Sequence, residues 1–471
     1  MILHIRIAIT CLLLLLISVY LNAQTTTWQR LYDGTSNFFD GGRDLTLADS
    51  DNIYLVGFTV PFQNIYKIWV LKIAPNGDTL WTREIGQNGS QGYACETSND
   101  YGCVVTGSGN QAFMTKLNSN GGIEWTRYYG GGGVQCYDIL RTLDGGYLCC
   151  GRIDLQHGYI LKVDSSGILE WQRTFYSIGK AFRNVIIALD SGYVLSGYEY
   201  PATGNALATV TKINEFGELI WERSYPNGGG GWINTINNGY IVGGALYADS
   251  LKGRYGFLNL DPMGNIRYMR SFDSTNYMGS LRVISPNRYV MAFGTLVNMS
   301  LFGKVVLCDS LGTVLKTTVL PAPEFIELKS LLIANNGDIL SIGIADFLTP
   351  QSDEDMYAVR FDSLLNTSPI VSIFPSNSPI VDEEFAIRNF PNPFNNSTLI
   401  EYELRKNSHI KFELYDLSGR LVEVLYEGFK IAGTHSFNYE IQNGECPSGV
   451  YVIKISSSTG LHRILKIVLI K

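Results

Sequence analysis

A strand-like phrase returns at intervals of about 48 residues, and no other feature limits the fold as tightly. The phrase is a short apolar run ending in glycine. It appears as Asn52-Ile-Tyr-Leu-Val-Gly57, Gly102-Cys-Val-Val-Thr-Gly107, Gly146-Tyr-Leu-Cys-Cys-Gly151 and Gly192-Tyr-Val-Leu-Ser-Gly197. Three further copies are Gly239-Tyr-Ile-Val-Gly243, Arg288-Tyr-Val-Met-Ala-Phe-Gly294 and Asp338-Ile-Leu-Ser-Ile-Gly343. A second run follows each copy: Trp69–Ile73, Phe113–Leu117, Tyr159–Val163 and Thr209–Ile213, with weaker versions at Gly256–Leu260, Lys304–Cys308 and Tyr357–Phe361. Turns come next, among them Pro75-Asn-Gly77, Asn118-Ser-Asn-Gly121, Asp164-Ser-Ser-Gly167, Asn214-Glu-Phe-Gly217, Asp261-Pro-Met-Gly264 and Asp309-Ser-Leu-Gly312. Asp or Asn first and Gly last suit a type I turn with a left-handed exit. Trp81, Trp125, Trp171 and Trp221 each stand four residues past the turn glycine, where the fifth and sixth units have Tyr268 and Lys316. That residue opens a third strand. A fourth, such as Val185–Leu189, leads into the next phrase.

Four short strands per unit and seven units predict an all-β chain with a seven-bladed β-propeller over 24–366. A linear solenoid would need much shorter rungs. The seventh unit ends near Leu365 with no third strand of its own, and an isolated third strand, Trp28-Gln-Arg-Leu-Tyr32, precedes the first unit. It is expected to complete the last blade and remove the open sheet edges. The repeated Trp and Tyr are then packing between blades. Charged residues make up only 17% of the chain and the net charge is −7, which argues against helices in solvent and against nucleic acid as a partner.

Residues 1–23 read as a secretory signal peptide. Arg6 supplies the basic region, an apolar run reaches Leu21, and cleavage is placed between Ala23 and Gln24. The run is short for a membrane anchor. Seven cysteines remain after cleavage, so at least one stays outside any internal bridge. Cys95 and Cys103 flank a hairpin turn symmetrically, as a bridge or as small apolar strand residues.

The repeat stops at 366. Residues 367–388 read as an extended linker containing Phe374-Pro-Ser-Asn-Ser-Pro379. Strand candidates then follow at Ser397–Leu404, His409–Tyr415, Val422–Tyr426, His435–Tyr439, Gly449–Ile455 and His462–Ile470, which predicts a small Ig-like β-sandwich over 389–471. Asn389, Phe390, Pro391, Asn392, Pro393 and Phe394 open this segment. Together with Asp416, Gly419 and Arg420, then Gly449 and Tyr451, then Lys466 and Lys471, they resemble the ordered signatures of type A sorting domains of the type IX secretion system. The repeat region is also similar to propellers that precede such domains in secreted proteins of Bacteroidetes. The resemblance implies Sec export, then recognition by an outer-membrane translocon and its processing machinery, with release or display at the cell surface.

Signals for chemistry are sparse. Within the repeats His157 is the one histidine, and no histidine pair has metal-ligand spacing. Gly130–Gly133 and Gly228–Gly231 lack the Lys-Ser/Thr that a phosphate loop needs, and read as connections between blades. The Asp-box spacing of sialidases is not met, because the turn glycine stands four residues before Trp. Quinoprotein dehydrogenases share that spacing and the adjacent Cys149-Cys150, but their rings usually have eight blades. Asp49, Asp51 and Asp144 are turn residues before they are Ca²⁺ ligands. The reading assigns no catalytic residue, no cofactor and no metal.

The expected function is that of an exported cargo whose non-catalytic propeller is an extracellular or cell-surface binding scaffold. The expected partners are the translocon and an extracellular glycan or protein ligand, and the chain is expected to be a monomer. Its ligand face is placed on the loops Val60–Phe62, Tyr198–Pro201 and Asn227–Trp232, with Phe62, Tyr198, Tyr200 and Trp232 as contacts. The alternative is a secreted polysaccharide hydrolase or lyase, or a quinoprotein-like oxidoreductase, working through channel carboxylates.

Overall fold

Strand formation follows the repeat closely, and the computed structural model contains strands as its regular elements among the described residues. Two compact units divide at Asn377 and Ser378. The first is described at 27–34, 39–62, 65–86, 89–109, 111–201, 205–226, 228–246, 254–272, 279–297, 300–320, 325–346 and 354–368. The second is described at 387–390, 394–395, 397–404, 407–416, 420–431, 433–440, 447–457 and 462–469. Ala23, Gln24 and the linker from 369 to 386 lie outside the described residues.

The first unit is a seven-bladed propeller. Blade 1 is Asp40–Leu47, Ile53–Phe62, Ile65–Ile73 and Thr79–Ile85. Blade 2 is Gln91–Thr97, Cys103–Ser108, Ala112–Leu117 and Ile123–Tyr129. Blade 3 is Gln135–Arg141, Tyr147–Ile153, His157–Val163 and Leu169–Phe175, and blade 4 is Ala181–Ile187, Tyr193–Glu199, Leu207–Ile213 and Leu219–Tyr225. Blade 5 is Gly228–Ile236, Gly239–Leu246, Arg254–Leu260 and Ile266–Phe272, and blade 6 is Ser280–Ser285, Arg288–Val297, Ser300–Asp309 and Val314–Val319. Blade 7 has Phe325–Ile333, Ile339–Asp346 and Glu354–Phe361, and its outer strand is Trp28–Tyr32. That strand runs antiparallel to Glu354–Phe361, with Trp28 opposite Arg360 and Tyr32 opposite Met356. The Tyr357 hydroxyl donates to Gln29 Oε1 at 2.6 Å across the same seam.

The first strand of each blade packs against the first strand of the next around the ring, so these leading strands wall a central channel. The ring has two ends. On one, the turn face, the third and outer strands meet at the Asp/Asn-to-Gly turns. On the other, the mouth, each leading strand begins.

The turn face is built by repetition. In every blade but the first, where the turn opens on Ala74, the first residue caps the turn: Asp164 Oδ1 accepts the backbone N–H groups of Ser166 and Ile168 at 2.8 and 2.9 Å, and Asp309 Oδ1 does the same for Leu311 and Thr313. Gly121 exits at φ +79°, and a Cβ there would meet the Trp81 ring at 3.0 Å. The glycine therefore supplies both the left-handed backbone and the seat for the preceding blade's Trp. Trp81 Nε1 donates to Ser119 O at 3.0 Å and Trp28 Nε1 to Pro75 O at 2.9 Å. Two residues on, an Arg reinforces the joint: Arg83 Nε donates to Gly121 O at 3.1 Å and Arg173 Nη2 to Phe216 O at 3.0 Å. Four residues on, Tyr32, Tyr129 and Tyr225 donate to Gly77, Gly167 and Gly264 carbonyls at 2.8, 2.7 and 2.6 Å. A buried or half-buried base pairs an acid of the adjacent turn in most blades: Lys72 with Asp49 at 2.7 Å, Lys116 with Asp100 at 2.6 Å, Lys162 with Asp144 at 2.5 Å, Lys212 with Asp190, and Arg360 with Asp338 at 2.8 Å. Blade 5 has lost both partners, with Asn259 in the lysine's place opposite Tyr268. The seventh unit does have a turn, Asp362-Ser-Leu-Leu365. Leu365 takes φ +60° where other blades have glycine, and its side chain is buried.

Several local expectations are corrected. Cys95 and Cys103 are free, buried thiols, as are the other described cysteines, so their place is that of small apolar strand residues. Gly228–Ile236 is strand, not connection, and the strand Ile53–Phe62 runs through the stretch expected as loop. Pairing to the neighbouring strand satisfies these backbones. Gly130–Gly133 does connect blades 2 and 3.

The second unit is a β-sandwich. One sheet orders Ile387–Phe390, Ser397–Leu404 and Gly433–Glu440, and the other orders Leu421–Lys430, Ser408–Asp416, Gly449–Ser457 and His462–Leu469. Its first strand starts inside the stretch expected as linker. Inward residues of both sheets, including Ile400, Tyr402, Ile410, Phe412, Tyr439 and Ile453, form the core.

Candidate functional site at the channel mouth

The glycine that ends each second strand has a reason that only the strand register reveals. The leading strand opposite it carries a β-bulge. Pairing skips Arg43 between Gly42 and Asp44, Tyr93 between Gly92 and Ala94, Tyr137 between Cys136 and Asp138, and Arg183 between Phe182 and Asn184. It likewise skips Gly231 and Lys329 in blades 5 and 7. The bulge presses the leading strand onto the facing glycine: a Cβ at Gly151 would meet Gln135 O at 1.8 Å, and one at Gly57 would meet Gly41 O at 1.8 Å. A bulge leaves its extra residue unpaired and re-aims the side chain. In six of the seven blades it sends one residue toward the mouth.

Successive bulge residues touch. Tyr93 and Tyr137 meet edge to face at 5.4 Å. The Arg183 guanidinium lies 4.2 Å from the Tyr137 ring centre and 5.2 Å from that of Tyr198. Arg152 lies 5.7 Å from Tyr137, and its Nε donates to Gln135 Oε1 at 2.8 Å. The Tyr137 hydroxyl donates to the same Gln135 oxygen at 2.6 Å. Burial pushes the Tyr137 phenol up to about 12, against the opposing charges of Arg183 and Arg152. On blade 1, Arg43 lies over Phe58 at 5.2 Å.

Below the mouth, the channel is lined by acids that hold blades together. Asp44 accepts the Cys95 N–H at 3.1 Å and the Ser330 hydroxyl at 2.8 Å, joining blades 7, 1 and 2. Asp138 accepts Val185 N–H at 2.8 Å and Asn184 Nδ2 at 2.6 Å, and Asn184 Oδ1 accepts Ile233 N–H at 2.9 Å. Burial, and then the charge of Asp44, raises Asp138 to about 7. Burial raises Glu96 to about 7 and raises Asp44 as well. Arg282 faces this group. Burial lowers its pKa, while Asp44, Asp138 and Glu96 oppose that shift. Arg282 also lies 5.1 Å from the Trp232 ring centre.

The residues expected at the ligand face are distributed as follows. Tyr198 joins the Arg183 stack and meets Tyr200 edge to face at 5.2 Å, and Tyr200 is 56% exposed. Trp232 sits on a leading strand against Arg282 and is part of the channel wall, not of a loop. Phe62 lies in the second strand of blade 1, and its side chain is outside the described set. The bulge residues escaped the sequence reading although a signal exists. Each stands fourteen residues before its glycine: Arg43 before Gly57, Tyr93 before Gly107, Tyr137 before Gly151, Arg183 before Gly197 and Lys329 before Gly343. Asp33, Asp40 and Asp355 also escaped it. Ring closure brings one carboxylate oxygen of each within 4.8 Å of the others. Asp49 and Asp144 bind lysines. A cleft of about 410 Å³ between blades 2 and 3, lined by Arg127, Tyr128, Ile168 and Leu169, belongs to the turn face and lies away from the mouth.

In the second unit, the signature residues build the sandwich. Phe394 is buried against Tyr439 at 6.3 Å. Asn389 Nδ2 donates to Thr398 Oγ1 at 3.1 Å. Asp416 closes a turn by accepting Arg420 N–H and Nε at 3.1 Å each. The Tyr451 hydroxyl donates to Pro447 O at 2.8 Å, and Gly449 begins that strand. Phe390 and Lys466 lie in strands with side chains outside the described set, while Pro391, Asn392, Pro393, Gly419 and Lys471 lie outside the described residues.

Residues 388–471 match the family model described as a secretion system C-terminal sorting domain. That domain marks the chain as type IX secretion cargo, exported across the outer membrane to the cell surface or the medium. No curated protein matches the chain. Among solved structures, a protein of unknown function from Bacteroides caccae is 12% identical with a TM-score of 0.37, covering 49% of this chain and 81% of its own. The WD40 β-propeller domain of Doa1 is 12% identical with a TM-score of 0.46, covering 70% and 96%. The periplasmic gluconolactonase of Pseudomonas aeruginosa is 13% identical with a TM-score of 0.43, covering 59% and 85%. The propeller assignment rests on the sheet order and register above.

Proposed function

We propose that the propeller is a non-catalytic binding scaffold, presented outside the cell after export, and that its ligand seats on the channel mouth. One observation carries this reading. Bulges in six of the seven blades bring arginine, tyrosine, lysine or a bare glycine to one opening, while the turn face largely repeats one joint. Six sheets presenting Arg43, Tyr93, Tyr137, Arg183, Gly231 and Lys329 make a surface that can be specific without altering the frame. The enzyme alternative relies on channel acids. Two of these, Asp44 and Asp138, are occupied as hydrogen-bond acceptors between blades. In this reading the chain acts as a monomer, with the ring over 24–366 as cargo and 389–471 as the sorting domain.

The mature full-length chain, applied to a polysaccharide array and assayed in parallel for product release, tests this. Retention without product, reduced by Tyr198→Ala with Tyr200→Ala, supports the scaffold. Product release that disappears in Glu96→Gln overturns it.

A further inference from the structure

We infer that the mouth recognises an acidic glycan, with the uronic-acid carboxylate seated on the arginine–tyrosine arc of blades 3 and 4. This rests on the binding-scaffold reading above and adds the class of ligand.

The arginines differ by face. At the turn face Arg83 and Arg173 also lie over Trp rings, but they donate to carbonyls of the next blade's turn, and Arg360 pairs with Asp338. On the arc, Arg152 and Arg183 have no carboxylate within 4.0 Å among the described residues, and aromatic rings cover their flat faces. A guanidinium covered on its faces keeps its N–H edge for a planar oxyanion. Arg183 Nη2 donates only a long contact, 3.3 Å, to the Tyr198 hydroxyl, and its Nε is buried with no hydrogen-bond partner. Arg43, on the far side of the mouth, likewise keeps a buried Nε without a partner. These are donors built in before any anion arrives, and an unmade bond from a charged group is costly.

A glycan fits this arc better than an acidic peptide. The arc lies at the ends of the leading strands of blades 3 and 4, whose open ladder edges run along the channel wall below it and not across the mouth. It is flanked instead by exposed rings, Tyr200 at 56% and Tyr176 at 85% exposure, with Tyr176 meeting His157 edge to face. Flat, open rings suit the C–H face of a pyranose.

Calorimetric titration of the mature full-length chain with oligogalacturonate, its methyl ester and polyglutamate decides the matter. Oligogalacturonate is expected to bind at least about tenfold more tightly than the uncharged ester, the scale of one lost charge-assisted hydrogen bond. Its affinity should fall as NaCl rises from about 50 to about 500 mM. Arg183→Gln should weaken it about tenfold or more, and Arg183→Lys should not restore it. Arg152→Gln provides a second variant should Arg183→Gln fail to fold. Equal binding of the ester, or tighter binding of polyglutamate, overturns the acidic-glycan inference and leaves the scaffold standing. Absence of binding to any glycan on the array overturns both.

Discussion

The two ends of the propeller are made from the same strands under opposite rules. At the turn face, most blades seat a Trp or Tyr and an arginine on the next blade's turn, and five blades carry a matched ion pair of their own. Arginines there donate to backbone carbonyls of the neighbouring turn. At the mouth, the residue that each bulge releases varies around the ring, and two arginines of the arc rest on rings with no carboxylate within 4.0 Å among the described residues. Repetition therefore marks the parts that hold the ring, and variation at a fixed structural position marks the parts free to recognise something. Abundant aromatics belong to both ends, so composition alone cannot separate them.

The comparison can be broken most severely at its closure. Removing Trp28–Tyr32 from the mature chain leaves blade 7 with three strands and an open edge. Loss of the cooperative thermal transition and a shift to aggregates in size exclusion are expected. A monomeric variant with an unchanged transition would show that the ring does not depend on this strand. Next comes the seat itself. Trp81→Ala removes the ring that packs on Gly121, and a cost of about 3 kcal/mol is expected from a large-to-small change at a packed joint. Tyr200→Ala, equally aromatic but exposed at the mouth, should stay within about 0.5 kcal/mol in the same denaturant titration.

Acidity separates the two ends a third way. Asp138 and Glu96 have folded pKa values raised to about 7, so the folded state holds their protons more tightly than the unfolded state does. Stability from this source is full below the ordinary carboxylate range and is lost as pH rises from about 4 through 7, by something on the order of 1 to 4 kcal/mol for Asp138. Asp138→Asn should flatten that slope. Asp100 and Asp144 behave in the opposite sense. Burial raises them, but the hydrogen bonds from Lys116 and Ser98 to Asp100, and from Lys162 and Thr142 to Asp144, together with a backbone N–H and the lysine charge in each case, outweigh it and hold both at about 2, so their contribution is lost as pH falls from about 4 toward 2. Both are largely exposed, so that loss is small and weakens with salt. Melting curves across pH with Asp138→Asn and Lys162→Met distinguish the two windows. The smallest stability effect is expected from Tyr198→Ala with Tyr200→Ala, which should leave the melting temperature nearly fixed while lowering ligand retention.

Much of this was legible in the residues. The interval of the glycine-ended phrase gives blade count, and Asp164-Ser-Ser-Gly167 gives a turn with its mechanism. The isolated Trp28-Gln-Arg-Leu-Tyr32 points to the open place in the last blade. What failed did so for identifiable reasons. Leu365 hides a turn because it adopts φ +60° without being glycine, held by its own burial. Trp232 reads as loop because a glycine run precedes it, yet pairing to Gly239–Leu246 makes the run a strand. The purpose of Gly57 or Gly151 depends on the strand opposite, and register is not written in either strand alone. For that reason Arg183 and Tyr137 passed unnoticed, although their spacing to the glycine is constant.

Two arginines ten residues apart separate the two faces of the ring. Arg173 lies 5.6 Å from the Trp171 ring centre at the turn face, and Arg183 lies 4.2 Å from that of Tyr137 at the mouth. Each is changed to Gln in the full mature chain, and affinity for the retained glycan is titrated beside the melting temperature. The account predicts that Arg183→Gln loses affinity and keeps its melting temperature, while Arg173→Gln keeps its affinity. Unchanged affinity in Arg183→Gln, or an equal loss in Arg173→Gln, would contradict it.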